Sequence, residues 1–93
     1  MNGSDVVIVH DKQNRTIEYI KKLPQQVIPI NSYNEKPICP GYYYSPLDDR
    51  IIKTATTKSK YPYRYNRSHT LHVKLLSGQL MTISEFDLKQ HAN

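Results

Sequence analysis

Cysteine is almost missing from this 93-residue chain: Cys39 stands alone, so no disulfide closes within it. Small secreted domains lean on such staples, and a lone thiol fits an intracellular, virion-internal or organellar setting better. Glycine is scarce too. Gly3, Gly41 and Gly78 lie far apart, which leaves no glycine-rich loop to cradle a phosphate. Long apolar runs are also missing. The longest is Val6–Val9, far below the roughly 20 residues of a membrane-spanning helix, so no membrane partner is expected. The start, Met1 to Asp5, has neither the basic patch nor the apolar stretch of a secretion signal, and an intracellular location is the expectation.

What is present is polar and tyrosine-rich. The apolar fraction is 38%, against about 45–50% in typical globular chains. Eight residues are Tyr, whose hydroxyls need water or a partner once buried. The length suits one domain, residues 1–93, with a thin core. Such a core belongs either to a small barrel that stands alone or to a subunit that completes itself against a neighbour. A protein partner or a homo-oligomer is therefore expected.

Charge is unevenly spread. The net +5 comes from one third of the chain, because residues 50–84 carry Arg50, Lys53, Lys58, Lys60, Arg64, Arg67 and Lys74 without one Asp or Glu.

The pattern of residues reads as strands. Val6–Val9 is β-branched throughout, and Thr16–Ile20 resumes after the polar stretch Asp11–Arg15, which predicts a hairpin with a loop of about five residues. Pro24, Pro29, Pro37 and Pro40 exclude a helix from the segment that follows and leave room there for only a short edge strand around Val27–Ile30. That extended connection either contacts a partner or wraps over the core. Tyr42–Tyr44 and Arg50–Thr54 flank a Pro/Asp turn and predict a second hairpin. Thr54–Lys60 reads as exposed, and Tyr61–Arg67 as extended.

The clearest segment comes last. Leu71, Val73 and Leu75 alternate with polar residues, Gly78 marks a turn, and Leu80–Ile83 returns. A three-residue loop Ser77-Gly78-Gln79 sets Leu75 against Met81 and Val73 against Ile83, which keeps polar and apolar faces apart. Ser84-Glu85-Phe86-Asp87 resembles a capping box opening a short helix to about His91, too short for Phe86 and Leu88 both to anchor it. The fold class expected is mainly β: a small antiparallel barrel or sandwich of about five or six strands with a short C-terminal helix.

No constellation of residues supports catalysis. On a strand His69 and His72 point to opposite sides, which argues against a metal pair. Asp48 and Asp49 are neighbours in a turn, where carboxylates ordinarily cap backbone N–H groups, while paired catalytic carboxylates converge from separate places. Cys39 lies between prolines without a His partner and reads as an inert thiol. A non-enzyme without catalytic residues, metal or cofactor is expected.

One feature stands above background. Lys58, Lys60, Arg64 and Arg67 interleave with Tyr61, Tyr63 and Tyr65. Cations bind phosphate and flat rings stack on bases, but Arg and Tyr are also enriched at protein interfaces. The expectation is a non-catalytic interaction or structural subunit of a larger assembly, contacting partners through this basic, tyrosine-rich strip. The alternative is a small nucleic-acid-binding protein using residues 50–74.

Overall fold

The computed structural model describes residues 6–55 and 60–92. Its elements are β1 (Val6–His10), β2 (Thr16–Ile20), β3 (Ile28–Pro29), β4 (Ser32–Tyr33), β5 (Lys36–Pro37), β6 (Tyr42–Ser45), β7 (Arg50–Thr54), β8 (Tyr63–Tyr65), β9 (Thr70–Lys74), β10 (Leu80–Ser84) and the helix α1 (Glu85–Lys89). The protein is mainly β, as its sequence predicts. Six strands form one antiparallel sheet in the order β1-β2-β8-β7-β6-β3, while β9–β10 and β4–β5 are separate two-stranded ladders. The end strands β1 and β3 do not pair with each other, so the main sheet is open and not closed into a barrel.

The same turn is built twice. In the first hairpin the Asp11 N–H donates to the Arg15 carbonyl and the Asn14 N–H to the Asp11 carbonyl, with Asn14 at φ 61°. In the last hairpin Leu75 N–H donates to Gln79 and Gly78 N–H to Leu75, with Gly78 at φ 100°. Each is a three-residue loop whose third residue takes positive φ, a conformation left to Gly and, less readily, Asn. This requirement moves the last loop one residue back, to Leu76-Ser77-Gly78. Val73 consequently faces Met81, Leu71 faces Ile83 and Lys74 faces Leu80. Each residue's partner changes by two positions from the pairing that face-matching alone predicts. A shift of two preserves the face, so the apolar side stays intact.

Residues directly opposite share a face, and the register divides the sheet into two sides. Ile51, Tyr42 and Tyr44 lie on the first. There they pack with Leu71, Val73, Leu75 and Ile83 of the β9–β10 hairpin and with Leu88 of α1. Ile30 and Ile38 join this core, so the proline-rich connection wraps the interior with part of its length. Ile20, Ile52 and Tyr65 lie on the second side in a smaller core, against Val6, Leu23, Val27, Tyr43 and Tyr63.

The helix follows its capping signal. Ser84 Oγ accepts the Asp87 N–H at 3.0 Å. Of the two apolar candidates only Leu88 anchors it, fully buried, while Phe86 is 68% exposed.

Two outcomes follow from these contacts. Leu88→Ala costs about 2–5 kcal/mol in a chemical-denaturation experiment, whereas Phe86→Ala stays within about 0.5 kcal/mol of the parent. Gly78→Ala meets no neighbour within 4 Å, so its cost of about 1–2 kcal/mol comes from the positive φ alone.

Candidate cationic face

β8 is an interior strand, hydrogen-bonded to β2 on one side and β7 on the other. The basic, tyrosine-rich strip therefore does not form one exposed surface. Side chains alternate along a strand with period two, which sends Tyr63 and Tyr65 to one side of the sheet and Arg64 to the other. Tyr65 is only 5% exposed and belongs to the smaller core. Tyr63 packs beside it, edge-on to Tyr43 with ring centres 6.2 Å apart. This corrects the expectation that these rings face solvent. Lys60 is exposed, its Nζ 6.0 Å from the centre of the Tyr61 ring. Tyr61 precedes the strand, escapes its alternation, and sits with its ring 5.4 Å from that of Tyr19. Lys58 lies outside the described residues.

Part of the positive charge is neutralised locally. Glu18 accepts from Arg50 at 3.0 Å and from Arg67 at 3.1 Å. Arg50 also lies 4.2 Å over the Tyr65 ring, a cation–π contact on the second side of the sheet. The Tyr65 hydroxyl donates to Asp48 Oδ2 at 2.6 Å. Burial first, and then this bond, push the phenol far above its ordinary pKa, so it remains a donor. Asp48 and Asp49 thus serve side chains where backbone caps were expected. Asp48 also accepts from Ser45 Oγ, and Asp49 accepts from the Tyr44 hydroxyl and pairs with Lys89.

The first side of the sheet is different. Tyr19 faces Arg64, Arg64 faces Lys53, and Lys53 faces Tyr42, a row crossing β2, β8, β7 and β6. Two cations stand directly opposite each other at its centre. Among the described residues neither Lys53 nor Arg64 has a carboxylate partner. Arg64 Nε is buried without a hydrogen bond. Burial, and then the neighbouring Arg64 charge, lower the pKa of Lys53 from its ordinary value. Two open clefts meet this row. One of about 540 Å³ reaches Arg64 and is lined also by Asp11, Ile17, Arg67, Ser68 and Arg15, the last paired to Asp11 at 2.8 Å. The other, of about 270 Å³, reaches Lys53 and is lined also by Lys74, Tyr42 and Gly41.

The sequence strip contained Arg64 and Arg67, but Tyr19 and Lys53 meet Arg64 on one face only because β8 inserts between β2 and β7. No spacing in the sequence signals that pairing. Cys39 is a free, half-buried thiol near the second cleft, its Sγ 3.5 Å from the Leu75 carbonyl oxygen. His72 shares a hydrogen bond with Thr82. No group of three or more His, Cys, Asp or Glu able to hold a metal occurs among the described residues, and no helix there is long and apolar enough to cross a membrane. Compared with known proteins, the chain matches no family model, no curated protein and no solved structure.

The Glu18 hub gives a pH dependence. Its hydrogen bond to Arg50, with further attraction from Arg50 and Arg67, holds the carboxyl below its ordinary value. The native state therefore resists protonation. The stabilisation is complete above the unfolded carboxyl's pKa and is lost as pH falls through the lower folded value. Urea melts from neutral pH downward are flat at first and then lose stability in the acid range. Glu18→Gln, which cannot titrate, has a shallower acid slope and is less stable than the parent at neutral pH.

Proposed function

We propose that this chain is a non-catalytic interaction subunit of a larger macromolecular assembly, holding an anionic partner against the Arg64–Lys53 face of its sheet. The observation that carries this reading is the opposed cation pair. Like charges directly across a ladder cost a few tenths to about 1 kcal/mol, and here the chain brings no described carboxylate to offset them. A partner's anions would relieve this repulsion. Arginine and lysine without a general base beside them bind charge and do not break bonds. An intracellular site of action belongs to this reading, since a lone Cys39 suits a reducing compartment.

The sheet edges support membership of an assembly. The β3 edge is only two residues long and carries Pro29, both devices that blunt an edge. The β1 edge is five residues, Val-Val-Ile-Val-His, with neither Pro nor Lys, and Ile8 is 62% exposed on it. Such edges pair with other chains, either a protein partner or a second copy. Light scattering reads the second copy directly: Ile8→Lys shifts any dimer toward monomer.

Lys53→Met tests the face itself. Removing one member of the pair raises stability by a few tenths to about 1 kcal/mol in thermal melts, while the variant elutes from immobilised heparin at lower salt than the parent. Loss of stability together with unchanged elution sinks the proposal.

A further inference from the structure

The cationic row is a track and not a point. Its two cations stand on the neighbouring strands β8 and β7, with Tyr19 beside Arg64 on β2, and the cleft bearing Lys74 extends the charge past Lys53. A single small anion would need only one of these places. A linear polyanion would use all of them.

Two further features narrow the class of polyanion. First, the row sets an aromatic ring beside the cation pair. Tyr19 lies directly across from Arg64, and the Tyr61 ring adjoins it at 5.4 Å, with Lys60 over Tyr61. Acidic peptides have no use for a ring next to each charge. A nucleic-acid strand does, because every phosphate comes with a flat base, and single-strand binders pair cations with aromatic platforms. Second, the shape of the face is wrong for a duplex. Reading a duplex groove takes an α-helix or a projecting two-stranded ribbon. The one α-helix among the described residues is five residues long, and the row lies on the broad surface of a six-stranded sheet. Sheet surfaces of this kind receive unpaired bases.

Resting on the reading of this face as an anion-binding surface, we infer that its ligand is a single-stranded nucleic acid. Its phosphates follow Arg64, Lys53 and Lys74, and a base lies against Tyr19. Tyr63 and Tyr65 take no part, because they belong to the core on the other side of the sheet.

Fluorescence anisotropy with short labelled oligo(dT) and oligo(rU), a duplex of the same length and a poly-glutamate peptide of matched charge tests this at two salt concentrations. The single strands bind, more tightly than the duplex, and their affinity falls as salt rises. Arg64→Gln weakens binding of single strands and of poly-glutamate alike. Tyr19→Ala weakens single-strand binding roughly 5- to 100-fold and leaves poly-glutamate unaffected, while Tyr19→Phe, which keeps the ring, binds as the parent does. Duplex binding equal to single-strand binding, or an unchanged affinity in Tyr19→Ala with the parent's melting curve, overturns the inference. Binding of poly-glutamate without binding of oligonucleotides overturns it too, yet leaves the interaction-subunit reading standing. If neither probe binds, both fall.

Discussion

Ile51 and Ile52 are adjacent in β7, and both are fully buried. Successive side chains of a strand point to opposite faces, so this pair requires cover on both sides of the sheet at one place. The rest of the fold meets that requirement. The β9–β10 hairpin, α1 and the proline-rich connection cover Ile51. Leu23, Val27 and the rings of Tyr43, Tyr63 and Tyr65 gather around Ile52. A chain with a thin supply of apolar residues makes two small cores by sharing one central strand between them.

That strand also sorts the charge. Arg50 shares a face with Ile52, and Lys53 shares one with Ile51, by the same alternation. On the Ile52 side, Arg50 finds Glu18 of β2 and the Tyr65 ring, and the charge is absorbed into the structure. On the Ile51 side, Lys53 finds Arg64. The covering hairpin and helix pack around Ile51 and the tyrosines of β6, and the clefts open where the row meets Arg64 and Lys53. The same alternation that builds a neutralised network on one side leaves a strained pair of cations on the other.

The tyrosines explain how so polar a chain makes an interior at all. A buried phenol needs an acceptor, and three of these rings reach specific ones. Tyr42 donates to the His72 carbonyl, tying the sheet to the covering hairpin. Tyr44 and Tyr65 donate to the two aspartates of the β6–β7 turn. The Asp48–Asp49 turn is thus a small acceptor station that lets aromatic rings replace aliphatic side chains near the centre of the sheet.

By itself the sequence determined whatever is local. The β-branched run of β1, the alternation in β9, the Asp11–Arg15 loop, the Ser84 cap and the prolines that forbid a helix between Pro24 and Pro40 all act over a few residues, and each is visible in the chain. Even the excess of positive charge in residues 50–84 is legible there. Only the tertiary structure decided where that charge and those rings go, because β8 pairs with β2, more than forty residues earlier in the chain, as well as with β7. Non-local pairing sets which side of the sheet Arg64 occupies and which neighbour it meets, and nothing in the Tyr-Arg-Tyr spacing encodes a partner that distant. The last loop shows the same division at small scale. Glycine announces a turn, but the φ demanded by the loop's third position chooses the register.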